Sequence, residues 1–281
     1  MNNLIKKFSF QGVSGAYSEL AGKKIYPEAS SLPCSTFEEM FLRVRESKAE
    51  IAIVPIENSR AGRIADTQRL IPNSQLKIVG EYFLEVKHCL MAPKGSSINT
   101  IKRVHSHEQA IAQCRENLIK LKKEMKIQAD TAGAAKLVSE WNNKEDAAIA
   151  SELAAKIYNL DIVDTNFQDS LYNVTRFLVM SKKSAIFDKN DDSLITTLVF
   201  QVRSLPAALY KSLGGFASNG VNLTKLESYV HPKGFDVAQF YIDFEGHPEH
   251  PSVVLALEEM KFFCKEINIL GVYKASDFRK K

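Results

Sequence analysis

Asn173-Val174-Thr175-Arg176-Phe177-Leu178-Val179-Met180 joins β-branched, aromatic and aliphatic residues in one run, with Asp169-Ser170 before it and Ser181-Lys182-Lys183 after it. That composition between turn-prone boundaries predicts a strand. Its first four positions carry Asn, Thr and Arg, hydrogen-bonding groups that are costly to bury unpaired. In open α/β sheets, polar groups where strand gives way to loop are where ligands are held. An edge strand with a solvated polar end explains the same residues equally well.

The same polar punctuation recurs along the chain. Phe8-Ser9-Phe10-Gln11 reads as a short strand, then Gly12-Val13-Ser14-Gly15 as a turn, then a helix from about 16 to 25, so backbone N–H groups gather at a helix start. Thr36 and Glu39 match a capping box, and the apolar strand 51–54 runs into Pro55-Ile56-Glu57-Asn58-Ser59. Residues 76–91 read as one extended segment. Val104-His105 ends a strand, and Ser106 with Gln109 matches a second capping box for a helix that carries Gln113 near its buried face. Strands and helices then alternate to residue 158. The expectation is α/β with parallel strands in two lobes, one built from 1 to about 80 and from 165–183, the other from the middle. After a charged stretch, residues 192–281 switch to βαββαβ, with Pro206 opening the first helix, which is a ferredoxin-like order.

The chain has 281 residues, 45% hydrophobic and 25% charged, with a net charge of +4. That suits a globular protein of more than one lobe, and no basic patch calls for nucleic acid. Cys34, Cys89, Cys114 and Cys264 are scattered without metal-binding or disulfide-framework spacing, which fits a reducing, cytoplasmic setting. No apolar run approaches the ~18 residues of a membrane span. The His105/His107 and His247/His250 pairs lack a third ligand at a recognisable spacing, so no metal is expected.

Three clusters remain: Glu57-Asn58-Ser59, Ser106 with Gln109 and Gln113, and Asn173 with Thr175 and Arg176. They offer hydroxyls, amides, one guanidinium and one carboxylate. Such a set binds an anion and stabilises a leaving oxygen rather than performing strong acid–base work. An anion-binding module and a lyase acting on an already reactive substrate both fit.

These residues also carry a resemblance. Asn173-Val174-Thr175-Arg176-Phe177 resembles the N-x-T-R-F signature of bacterial prephenate dehydratases, and Pro55 to Ser59 with Gly62 resembles P-I-E-N-S-x-x-G. Ser106-His107 with Gln109-Ala110, residues 131–135 and 148–151, and Asn222-Leu223-Thr224-Lys225-Leu226-Glu227-Ser228 resemble further blocks, the last of them in the C-terminal ACT regulatory domain. The resemblance implies a two-lobed periplasmic-binding-protein-like catalytic domain (1–183) and an ACT domain (192–281). It implies conversion of prephenate to phenylpyruvate without metal or cofactor, regulation by L-phenylalanine, and a homodimer or homotetramer paired through the C-terminal unit. Arogenate dehydratase is the alternative enzyme; a phenylalanine-sensing regulatory protein and a solute-binding module are the non-catalytic ones.

Carried over by resemblance, Thr175 donates its hydroxyl to the leaving oxygen, Arg176 and the turn at Ser14 and Gly15 hold carboxylate charge, and Asn58, Ser106 and Gln113 position the ring. Phe177 belongs to the same catalytic signature, and Glu57, Ser59 and Asn173 complete the substrate site. Strict alternation puts Thr175 and Arg176 on opposite faces of their strand, so either the strand start is irregular or Arg176 braces the cleft from behind. The expected phenylalanine site comprises Ala207, Ala208, Leu209, Asn222, Leu223, Glu227 and Ser228. There Pro206-Ala207-Ala208-Leu209 stands where the family has P-G-A-L, and Tyr229-Val230-His231-Pro232 follows Glu227-Ser228 where it has E-S-R-P, so weakened binding is expected. Glu108 replaces the proline of S-H-P-Q.

Overall fold

The computed structural model describes residues 5–231 and 234–280. Pro232 lies outside them, and the side chains of Tyr229, Val230 and His231 are likewise not described. In chain order come β1 (Lys7–Gln11), α1 (Tyr17–Ile25), β2 (Ser30–Cys34), α2 (Phe37–Arg45), β3 (Ile51–Asn58), β4 (Gly62–Arg63), α3 (Ala65–Leu70) and β5 (Lys77–Glu85). Then follow β6 (Cys89–Ala92), β7 (Arg103–Ser106), α4 (Glu108–Gln113), α5 (Arg115–Lys120), β8 (Glu124–Ile127), α6 (Thr131–Trp141), β9 (Asp146–Ala150), α7 (Glu152–Ile157) and β10 (Asp161–Asp164). The chain continues with β11 (Val174–Ser181), β12 (Leu194–Val202), α8 (Ala208–Ser218), β13 (Leu223–His231), β14 (Gly234–Glu245), α9 (Pro251–Phe263) and β15 (Cys264–Lys274). No helix among the described residues is long and apolar enough to cross a membrane.

Two compact units result, one from Met1–Ala65 and Tyr82–Phe177, the other from Asp66–Glu81 and Leu178–Lys281. The first holds two sheets. One runs β2-β1-β3, with β11 on the far side of β3 and β1 parallel to both neighbours. The other, β10-β6-β9-β7-β8, is built wholly from residues 89–164. It is mixed rather than all parallel: β6 runs antiparallel to both β9 and β10. Against it α6 and α7 pack through alanines, Ala132, Ala134, Ala135, Ala154 and Ala155 meeting Ala148 and Ala150, and small side chains let the helices sit close. Asp130 caps α6 by accepting from Gly133 N, and Asn142 ends it in the left-handed conformation.

Residues 76–91 do not form one extended segment. The strand stops at Glu85, and Val86 N turns to donate to Asn173 O (2.7 Å). His88 N then donates to Gln168 Oε1 (2.8 Å), and Phe167 N donates to His88 O (2.7 Å). Residues 86–88 thus pass from one sheet to the other beside the returning segment 165–173.

In the second unit the sheet order is β13-β14-β12-β15-β5, the first four being the ferredoxin-like βαββαβ and β5 an added parallel neighbour of β15. A side chain at Gly271 would overlap the Ile78 carbonyl oxygen, so the residue's lack of a Cβ permits that pairing. One face of the sheet packs Leu198, Phe200, Ile242 and Phe244 against Phe216, Val253 and Met260 of α8 and α9. On the opposite face Ile195, Val199, Tyr241 and Tyr273 are also buried within the single chain. Asp243 and Glu81 engage Arg279 of the C-terminal turn there, Arg279 Nε donating to Glu81 Oε1 at 2.6 Å. Pro206 does not open α8: the helix starts at Ala208, after Ala207 in the left-handed conformation.

Candidate functional site

Asn58 ends β3, and its amide direction is fixed locally. Its Oδ1 accepts from the backbone N–H groups of Arg60 and Ala61, both at 2.9 Å. Its Nδ2 is therefore the donor toward β11, reaching Asn173 Oδ1 (2.9 Å) and Thr175 Oγ1 (2.9 Å). With its oxygen used, Asn173 donates through Nδ2 to Gln113 Oε1 (2.8 Å) at the end of α4. Gln113 Oε1 also meets His88 Nε2 (2.8 Å), whose Nδ1 lies 2.7 Å from the Tyr17 hydroxyl. One hydrogen-bonded chain so joins β3, β11, α4, the crossover at His88 and the start of α1. Asn173, Thr175 and His88 are all buried.

Thr175 Oγ1 enters this chain as an acceptor, and its own hydrogen has no acceptor among the described residues. Burial lowers the pKa of His88 below the usual 6.5, while the bond to Gln113 works the other way. The Tyr17 pKa is raised well above 10.0, chiefly by burial. Both groups stay neutral near pH 7.

Arg176 occupies the other face of β11, as alternation requires. Its side chain is 2% exposed, and its guanidinium lies 3.1 Å from Glu57 Oε1 and sits over the Phe83 ring at 5.9 Å. Phe177 is a core side chain. Ser59 joins the strand ends, its Oγ accepting from Val174 N (2.9 Å) and its N donating to Val174 O (2.8 Å). At the first turn, Gly15 N donates to Glu19 Oε2 (2.6 Å), so a carboxylate of the following helix already takes this N–H. The carbonyls of Ser14 and Gly15 accept from Tyr158 Oη (2.7 Å) and Ser151 Oγ (2.6 Å), and a side chain at Gly15 would meet Ala154 at 2.8 Å.

Ser106 stands apart from the amide chain. It is the last residue of β7, and its hydroxyl donates to Ile149 O (2.6 Å). Nor does it cap α4: the cap is His107, whose Nδ1 accepts from Gln109 N (3.2 Å), because the strand pairing carries Ser106 one residue too early. His105 lies buried on Asp146 (2.9 Å), which also receives Arg103 (2.7 Å). His88 and Tyr17 were not anticipated from sequence. The signal available was a lone histidine inside the extended stretch 76–91.

A family model for prephenate dehydratase matches residues 8–185. The chain belongs to the prephenate dehydratase family. Among its relatives is the bifunctional N-acyl-homoserine lactone acylase/prephenate dehydratase of Komagataeibacter europaeus, 45% identical over 273 residues and matched over 97% of each chain. Arogenate dehydratase/prephenate dehydratase 2 of Arabidopsis thaliana is 41% identical over 277 residues, 95% of this chain and 72% of that one. The crystal structure of prephenate dehydratase from Arthrobacter aurescens in complex with L-Phe superposes with a TM-score of 0.88 at 30% identity, over 96% of this chain and 90% of that one. In this family member, Asn58, Gln113, Asn173 and Thr175 come together, with Glu57 and Arg176 behind them.

The second unit of this prephenate dehydratase family member holds a cavity of about 460 Å³ lined by residues 202–209, Phe240 and Lys265. Ala207, Ala208 and Leu209 line it, and Arg203 and Lys265 bring two cations. Asn222, Leu223, Glu227 and Ser228 are not in its lining. Glu227 instead accepts from Lys225 Nζ (2.8 Å) and from Gln68 Nε2. Ala207 carries φ 57°, a left-handed conformation costing roughly 1–2 kcal/mol for a residue with a Cβ.

Proposed function

We propose that the protein is a dehydratase that turns prephenate into phenylpyruvate. The observation carrying this reading is the polarity of the Thr175 hydroxyl. Asn58 holds it as an acceptor and leaves its hydrogen for a departing oxygen. Loss of the ring carboxylate as carbon dioxide pushes the bonding pair into the ring. The ring becomes aromatic, and the C–O bond to the ring hydroxyl breaks. The prephenate dianion then yields the phenylpyruvate anion, carbon dioxide and hydroxide, which solvent protonates to water. Aromatisation drives the step. A threonine hydroxyl is scarcely acidic, so Thr175 stabilises the leaving oxygen by hydrogen bonding and Gln113 orients the ring, while Asn58, its amide fully engaged, sets the direction of the Thr175 hydroxyl. Arg176, buried on Glu57, braces β11 against β3 rather than meeting the substrate.

Residues 1–183 form the catalytic domain in this reading, and 192–281 a regulatory domain of the ACT type that binds L-phenylalanine. The cavity lined by Ala207–Leu209 with two nearby cations supports it, as does the phenylalanine complex of the Arthrobacter aurescens relative. Purified protein is to be assayed with prephenate and with arogenate, with and without phenylalanine. The name of the Komagataeibacter relative adds an N-acyl-homoserine lactone to the panel. Turnover of prephenate, surviving EDTA, is expected. Preference for arogenate redirects the assignment, and inertness toward both overturns it.

A further inference from the structure

We propose that His88 and Tyr17 are positioning residues for this dehydration, together fixing the direction in which the Gln113 side-chain amide faces. The inference rests on the reading of Gln113 and Thr175 above. Every link from Asn58 outward has one workable polarity. Two backbone N–H groups claim Asn58 Oδ1. Asn173 must then accept with its oxygen and donate with its nitrogen, which places Gln113 Oε1 toward it. The remaining lone pair of Gln113 Oε1 faces His88 Nε2 at 2.8 Å, so that nitrogen carries the proton. Nδ1 is left bare and accepts from Tyr17 Oη at 2.7 Å, with the two rings edge-on at 5.5 Å.

Two donors therefore converge on Gln113 Oε1, one from each of the two crossover segments. The Nε2 amide of Gln113 is left without a hydrogen bond among the described residues, ready to donate to an anion. A flipped Gln113 would lose both partners and present a carbonyl oxygen to a dianion. Tyr17 Oη lies nearer His88 Nδ1 (2.7 Å) than its other acceptor, Lys87 O (3.2 Å), which favours the Nε2–H form of His88, and the backbone at His88 is pinned by Gln168 and Phe167. His88 acts through Gln113 and touches no reacting atom.

A double-mutant cycle with His88→Leu and Gln113→Ala tests this. His88→Leu is expected to lower kcat/KM about tenfold, the effect of one lost donor to a buried acceptor. His88→Gln, which keeps a side-chain N–H, should recover most of that loss. In the Gln113→Ala background the His88→Leu change should cost almost nothing. Equal costs in both backgrounds, or no rescue by glutamine, overturn the proposal. Nitrogen NMR of full-length protein labelled at histidine, recorded near pH 8, reads the tautomer without any turnover. A proton on Nε2 is expected, and a proton on Nδ1 overturns the proposal even if His88→Leu fails to fold. If the wild type turns over no substrate, the dehydratase reading falls, while the tautomer still decides the His88 arrangement.

Discussion

Thr175 and Ala207 show how single residues divide the work. Thr175→Ala removes a buried oxygen and leaves Asn58 Nδ2 still bonded to Asn173 Oδ1. Stability should therefore change by less than about 1 kcal/mol, while turnover of prephenate falls roughly 10²–10³-fold, as for loss of a donor to a developing oxyanion. Steady-state kinetics beside a thermal melt check both halves, and near-normal turnover would sink the assignment. Ala207 sits where the left-handed backbone suits glycine. For Ala207→Gly, strain relief of roughly 1–2 kcal/mol outweighs the ~0.4–1 kcal/mol gained by the unfolded chain. A modest rise in Tm and tighter phenylalanine binding by calorimetry are expected. A fall in Tm would show that the alanine is not strained there.

Among the elements, β7 and β9 are joined by a charged cluster rather than by apolar contacts alone. Hydrogen bonds from Arg103 hold the Asp146 carboxyl at about 2, below its ordinary 3.8; His105 adds to this and burial opposes it. A depressed carboxyl pKa stabilises the fold above the unfolded value. That stability is lost as the pH falls from about 4 toward 2. That lowering corresponds to about 2 kcal/mol. Asp146→Asn should therefore cost about that much near pH 7 in urea unfolding and should flatten the acid limb between pH 4 and 2. An unchanged acid limb would remove the cluster from the account of stability.

For the molecule as a whole, the reason for expecting self-association lies on the helices rather than on the sheet, whose apolar residues Ile195, Val199, Tyr241 and Tyr273 are buried within the chain. Tyr210 of α8 and Leu255 and Phe262 of α9 are exposed instead, at 80%, 51% and 73%. Exposed apolar residues on the paired helices α8 and α9 favour an interface. A dimer or dimer-based tetramer is expected by light scattering at micromolar concentration, and Leu255→Glu with Phe262→Glu should lower the mass. A strictly monomeric wild type ends that expectation. Stability of the second unit also depends on Asp66–Glu81, a segment distant in sequence, through the pairing of β5 with β15 and the Arg279–Glu81 ion pair.

What the sequence determined by itself is what local interactions specify. Helix α6 falls at Thr131–Trp141 and strand β12 at Leu194–Val202, the bounds their periodicity and caps imply. Asn58, Gln113, Asn173 and Thr175 were legible as candidates because polar residues at strand and helix ends stand out from the apolar runs beside them. Which of them meet was decided by tertiary structure. Asn58 and Thr175 are 117 residues apart, and Ser106, with an equally good local signal, bonds to Ile149 instead. His88 was hidden because the break after Glu85 has no local marker. It arises from bonds to Asn173, Gln168 and Phe167 that exist only once the crossover segments lie side by side. Weak strands such as Ser30–Cys34 and Asp161–Asp164 form for the same reason: a neighbouring strand supplies the hydrogen bonds that their side chains do not predict.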